Sequence, residues 1–383
     1  MPLNFDGEPV VFVPTPARLV DQSLVDPLNI QGHRDLMKIR RDGLERLARE
    51  IDDNLVPDKN LKVLEGIEVL LMSRESARRG VEKQLGTILS ERFFGVDGRS
   101  RMVATRELSE SSYWHLENIG VKAAEAPNAG KGILVGIADS WLYKHDGIDS
   151  RRELARAGFD SDGNLIEPVE VPSKHGTAIT SLILGDVGIA QGCDFVFASV
   201  LTNTATTPCS GDPVKVTAGL SWLVNELFQT TRKVRVINAS LDVKQTQEVA
   251  HIVASAWRAQ VLIIGASGNW GTGSPIACPA IINDAVAGGA LRRNDTAWSL
   301  TSVSKTKPEV WAPGDNVTVA NTLNGYTLAS GTSVAAALLT GGAARILGDQ
   351  PKLDVKELRE ALLARVVMVD KANGSKKKLW FGP

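Results

Sequence analysis

Cysteine is nearly absent from this chain, with only Cys193, Cys209 and Cys278 among 383 residues. So few cannot supply a set of covalent staples, and the fold has to rest on a buried apolar core. Charge of one sign is also missing. The 43 Lys and Arg are offset by 44 Asp and Glu, for a formal net charge of −1. No global field therefore draws the chain to polyanions, and neither nucleic acid nor an acidic membrane is expected as a partner. Long hydrophobic runs are lacking too. No stretch approaches the roughly 18 uninterrupted apolar residues of a membrane span, and residues 1–16 contain no basic segment leading into an apolar run with a cleavage pattern. These absences give the expectation of a soluble protein of the cytoplasm.

What is present is the composition of a folded globular protein, 43% hydrophobic and 23% charged. The length suits one large domain with a smaller one. Residues 1–112 are rich in charge and poor in apolar runs. Within them Leu36, Ile39, Leu44, Leu47, Ile51 and Leu55 recur at mostly three- and four-residue spacing, which predicts an amphipathic helix over 33–55, ended by Pro57. A strand over Leu61–Met72, a helix over Arg74–Leu85 and a strand over Thr87–Phe94 complete a small α+β domain. From residue 113 onward, apolar runs alternate with helical patterns, the mark of a mainly parallel sheet covered on both faces. The expected strands are Gly132–Ala138, Phe195–Val200, Val234–Asn238, Val261–Ala266 and Ala285–Ala290; helices are expected over His175–Leu184, Val216–Thr230 and Val334–Ile346.

Three polar residues stand at the ends of these apolar segments, where an α/β sheet collects its functional groups. Asp139 follows GILVGIA, His175 opens an apolar helix, and Ser333 precedes a helix of small residues. A serine hydroxyl is a weak nucleophile that needs a base to take its proton, and the base needs a carboxylate to hold its tautomer. A serine at a helix start also brings backbone N–H groups to bear on developing negative charge.

The segments that carry these residues resemble the subtilisin-like serine protease family (subtilases). GILVGIADS resembles the strand ending in the family's catalytic Asp, and KHGTAITSLILG resembles its His-Gly-Thr helix. VINASLD resembles the strand edge that lines the substrate cleft, and IIGASGN with the following CPA resembles the segment bearing the oxyanion Asn. KPEVWAPG and YTLASGTSVAAALLTG resemble the approach to the nucleophile helix. The order Asp, His, Ser is that of subtilisin. The likeness runs over residues 113–383, since YWHLENIGVKAAEA resembles the start of the family's mature domain. It implies a three-layer α/β fold and a serine endopeptidase: Asp139, His175 and Ser333 as triad, Asn269 as oxyanion donor, and Ser240, Leu241, Asp242, Ala266, Ser267 and Gly268 as the substrate-binding walls. It also implies a protein or peptide substrate. Residues 1–112 are then either a prodomain, removed by cleavage within Gly98–Ser112 near Arg99, Arg101 and Arg106, or a permanent domain that recruits a regulatory partner.

Some positions depart from the family pattern. Trp141 adds bulk near the second substrate subsite, and Lys174 sets a positive charge before His175. Asp242 takes a place usually held by Gly, so that it narrows or charges the cleft edge and selects a basic residue. Trp141 and Asp242 also keep open an alternative of another class, a catalytically weak subtilase fold used as a binding or regulatory module. Acyl transfer to an amine or hydroxyl instead of water is a third reading. The chemistry calls for no cofactor. Asp160-Ser161-Asp162-Gly163-Asn164 resembles the start of a calcium loop but lacks the downstream Glu, and it reads as a surface turn. His33, His115, His145 and His251 lie in no motif and read as surface or packing residues, and Cys209 is placed in a Thr- and Pro-rich loop.

Overall fold

The computed structural model describes residues 10–13, 62–63, 70–73, 108 and 110–382, apart from 172, 205–206, 226–231, 323 and 371–373. The chain divides into two units, Met1–Phe94 and Gly95–Pro383. Of the first, three short strands are described: β1 (Val10–Val13), β2 (Lys62–Val63) and β3 (Leu70–Ser73), paired antiparallel in the order β1-β3-β2. The single strand expected over Leu61–Met72 is thus two paired strands, with Lys62 opposite Leu71 and Val63 opposite Leu70. The helices expected over 33–55 and 74–85 and the strand over 87–94 lie outside the described residues.

The second unit begins with α1 (Trp114–Asn118), β4 (Leu134–Asp139), β5 (Glu153–Phe159), β6 (Leu165–Ile166), α2 (His175–Leu184) and β7 (Asp194–Ser199). The hairpin β8 (Leu201–Thr204) and β9 (Thr207–Gly211) leads into α3 (Pro213–Asn225). Next come β10 (Val236–Ala239), α4 (Gln247–Arg258), β11 (Leu262–Ala266), β12 (Ala285–Leu291) and β13 (Val310–Pro313). A second hairpin, β14 (Val317–Ala320) and β15 (Tyr326–Ala329), precedes α5 (Thr332–Asp349), α6 (Val355–Ala364), β16 (Val366–Val369) and β17 (Lys376–Leu379). Ten strands form one sheet in the order β16-β17-β13-β12-β11-β10-β4-β7-β5-β6. Its pairs are parallel except at the two edges, where β5 meets β6 and β16 meets β17.

The period-two alternation of β4 explains the layering. Val135 and Ile137 join a core with Ile179, Leu182 and Ile183 of α2 and Leu338 and Leu339 of α5. Leu134 and Ala138 face the other way, into a core with Val216 and Leu220 of α3 and Val249 and Val253 of α4. A strand buried on both faces must be apolar throughout, which is why GILVGIA reads as a continuous run. Helix α2 is buried from Gly176 to Leu184, and the small residues Ala335, Ala336 and Ala337 let α5 run through the core, buried from Val334 to Ala344. The architecture is the three-layer α/β fold expected of the sequence.

One local reading changes and another agrees. Cys209 falls in strand β9, not in a loop; Thr is β-branched and favours the extended backbone, so a Thr-rich stretch is not by itself a loop signal. Asp160–Asn164 is the turn between β5 and β6, in which the Asp160 carboxylate accepts the N–H groups of Asp162 and Asn164, both at 2.9 Å, and the Asn164 side-chain amide at 3.0 Å.

Lys307 is a buried cation of the second unit. The ammonium of Lys307, whose side chain is 6% exposed, donates to the carbonyls of Ala280, Ile282 (3.1 Å) and Ala285 (2.9 Å) and stands 3.3 Å from the Glu309 carboxylate. Glu309 in turn accepts the Ala287 N–H at 2.8 Å and Arg359 at 3.1 Å. The segment entering β12 and the start of β13 are thereby clamped to one point.

Candidate active site

The carboxyl ends of β4, β10 and β11 converge, as parallel strands of an open sheet require of a site. Asp139 ends β4 with no exposed surface. Its carboxylate meets Nδ1 of His175, at the start of α2, at 2.8 Å from one oxygen and 3.0 Å from the other. Ser140 secures this carboxylate, with its N–H donating to Asp139 Oδ1 at 2.7 Å and its hydroxyl at 3.1 Å. The same hydroxyl accepts the Gly176 N–H at 3.1 Å, so the carboxylate and the helix that carries His175 share one anchor. Gly176 has to be glycine, because a Cβ there would lie 2.5 Å from the Trp141 carbonyl. The His175 side chain is 26% exposed, leaving one edge open to a reactant.

Strand β10 lies beside β4, with Asn238 opposite Ile137 as the last paired rung, and Ser240 follows directly after β10. The Ser333 hydroxyl donates to the Ser240 carbonyl at 3.4 Å, and the Ser240 hydroxyl donates to the Ser333 carbonyl at 3.0 Å. Ser333 is the second residue of α5, so its N–H is among those a helix cannot satisfy internally. Asn269 follows Gly268, whose φ of +109° suits glycine. Asn269 Oδ1 accepts the Thr332 N–H at 2.9 Å and the Thr332 hydroxyl at 2.8 Å. That fixes which way the amide points and leaves its NH2 end as the donor. The Thr332 oxygen also accepts the Gly268 N–H at 3.1 Å.

Trp141 is half-buried and braced by the Arg156 guanidinium 5.0 Å from its ring centroid; Arg156 also grips Glu153 and the Leu142 carbonyl. Leu241 is buried in the core between sheet and helices α3 and α4, so only its backbone is offered to a ligand. Asp242 Oδ1 accepts the Cys278 N–H at 3.0 Å. The Cys278 thiol is buried and burial pushes it up, which makes it inert. His115 and His145 are packing residues on the Val187 and Gly325 carbonyls, and burial pushes His115 down to about 4. Among the described residues, no group of three or more His, Cys, Asp or Glu is placed to hold a metal ion.

A model of the subtilase family matches residues 130–379. The chain belongs to the subtilase family. It is 29% identical over 264 residues to the minor extracellular protease Epr of Bacillus subtilis, covering 66% of this chain and 38% of that protein. It is 27% identical over 282 residues to the serine protease AprX of Bacillus subtilis, covering 61% of each. With subtilisin DY of Bacillus licheniformis it shares 28% over 247 residues, covering 61% of this chain and 83% of that protein. The chain thus spans less than two thirds of the length of Epr and AprX. A cold-adapted subtilisin-like serine proteinase superimposes with a TM-score of 0.60 at 24% identity, over 70% of this subtilase and 97% of that chain, a likeness of fold.

Sequence reasoning overlooked the residues that hold the others. Ser140 and Thr332 adjoin Asp139 and Ser333, and their adjacency was the available signal. Lys307 gave none, because its partners are mostly backbone carbonyls.

Proposed function

We propose that this subtilase is a serine endopeptidase in which Asp139, His175 and Ser333 form the triad and cleave peptide bonds through an acyl-enzyme. The observation that carries the reading is the buried Asp139 carboxylate on His175 Nδ1, at the strand ends where Ser333 also lies. Asp139 holds the tautomer with Nε2 free of a proton and stabilises the imidazolium once it forms. Turning the Ser333 hydrogen from the Ser240 carbonyl to His175 makes the oxygen a nucleophile toward the scissile carbonyl. His175 then returns the proton to the leaving amine, and water repeats the sequence on the ester. The Asn269 amide and the Ser333 N–H receive the oxyanion, both held by the start of α5. The open edge at Ser240-Leu241-Asp242 and the segment Ala266-Ser267-Gly268 flank an extended peptide, which pairs by strand addition.

Asn269→Ala tests this assignment. Removing such a donor lowers kcat by about 10²–10³, the loss known for the oxyanion amide of subtilisin itself, with KM little changed. A variant that keeps kcat within about threefold would remove Asn269 from the mechanism. Among the described residues no helix is long and apolar enough to cross a membrane. We read the chain as acting on a restricted set of proteins or peptides, with residues 1–112 as a removable restraint. Finding the intact chain fully active would contradict that restraint.

A further inference from the structure

Beyond Ala239–Gly265, the last paired rung of β10 and β11, the two chains part and a third segment enters between them. Ala277 donates its N–H to the Ser267 carbonyl at 2.9 Å, on one side. On the other, Val243 donates to the Cys278 carbonyl at 3.1 Å and Cys278 donates to Asp242 Oδ1 at 3.0 Å. The result is a slot with walls 240–243 and 266–268 and a floor at Ala277-Cys278. Its mouth carries Ser333, 3.4 Å from the Ser240 carbonyl, and Asn269, next in sequence to Gly268.

Side chains two apart on an extended segment share a face. The Ser240 hydroxyl points to Ser333 and Leu241 turns away into the core, while the Asp242 carboxylate reaches the Cys278 N–H at the floor. Asp242 is exposed by area, yet burial pushes its carboxyl up to about 7.

Resting on the endopeptidase reading, we propose that Asp242 makes this slot the receptor for a cationic side chain, Lys or Arg, on the substrate residue whose carbonyl Ser333 attacks. The floor N–H aims the carboxylate, and an ammonium or guanidinium forms a charge-assisted pair with it. The chain's own Gly98–Ser112 stretch offers such residues in Arg99, Arg101 and Arg106, so release of the preceding segment by cleavage after one of them falls within the same specificity. The titratable group packed against Asp242 is the Cys278 thiol, which burial and the neighbouring Asp242 charge keep protonated.

The test is kcat/KM of the full chain on matched peptides that differ only at the residue before the scissile bond. Lys and Arg substrates are expected to exceed Leu and Phe substrates by about 10–100-fold, the worth of a hydrogen bond to a charged group. In Asp242→Asn, which can still accept the Cys278 N–H, the ratio collapses toward one. In the wild type the ratio rises as pH passes upward through about 7, where the free carboxyl ionises; a ratio removes the triad's own titration. A ratio unchanged in Asp242→Asn would show a mere backbone tie and overturn the proposal, as would a preference for apolar residues. Binding of p-aminobenzamidine to the Ser333→Ala chain, followed by fluorescence, reads the slot without turnover. Binding lost in a Ser333→Ala, Asp242→Asn double variant supports the proposal even if hydrolysis fails, whereas no binding to a folded Ser333→Ala chain from which added wild-type enzyme has cleaved the first unit overturns it. Absence of hydrolysis of every peptide, with amidine binding intact, would instead sink the endopeptidase reading alone.

Discussion

Ser333→Ala is expected to lower kcat for peptide hydrolysis by about 10⁶, the loss that removal of the nucleophile causes in subtilisin itself. The size of the effect follows from the chemistry. Without Oγ no acyl-enzyme forms, and water must attack directly with only the oxyanion donors and binding left to help, which supply roughly 10³–10⁴ over the uncatalysed reaction. The fold should be indifferent to the change. The Ser333 hydroxyl makes a single long bond to the Ser240 carbonyl, while the helix start is held by Thr332 on Asn269 and by the Ser240 hydroxyl on the Ser333 carbonyl. A variant with the wild-type melting temperature and no measurable turnover of a fluorogenic peptide is the expected outcome. One that retains a tenth of the activity would show that another residue performs the attack.

Lys307→Met is expected to cost about 3–5 kcal/mol, the penalty for removing one partner from a buried ionic cluster. In a unit of this size that is on the order of 10 °C in Tm. Methionine fills the volume of the stem but leaves the carbonyls of Ala280, Ile282 and Ala285 without the donor that gathers them. Glu309 keeps Arg359 and the Ala287 N–H, so the carboxylate is not wholly orphaned, and the loss falls mainly on the carbonyls. The same segment supplies Ala277 and Cys278 to the floor of the slot, three residues or fewer before Ala280, so lost stability should be accompanied by weakened substrate binding. Calorimetry and KM on one peptide check both parts. A Tm within about 2 °C of the wild type would mean that water replaces the ammonium without penalty.

The chemistry of the candidate site was legible because it is written in contiguous runs. GILVGIA must be apolar throughout to lie in the middle of a covered sheet, and the small residues of SVAAALLTGG must be small to bring Ser333 to the strand ends. Expected and observed elements agree closely there: the helix read over His175–Leu184 has those bounds, and the strand read over Ala285–Ala290 extends by one residue. What escaped notice depends on partners far away in sequence. Lys307 looks like any surface lysine until three carbonyls from a distant turn are set around it. The Asp242 substitution was legible as a departure, but not its hydrogen bond to the Cys278 N–H, a backbone group with no side-chain signature. Both hairpins, β8-β9 and β14-β15, went unread because their strands are only four or five residues long, too short for a period-two pattern to stand out.

Labelling of the purified chain with a fluorophosphonate, read by intact mass and peptide mapping, tests the central claim most directly. One equivalent on Ser333, absent from His175→Ala, is the result the triad predicts, since the reagent captures only a serine whose proton a neighbouring base can take. A folded wild-type chain that has shed residues 1–112 and takes up no label, or one that carries the label on another residue or is labelled as fast in His175→Ala, would contradict the account.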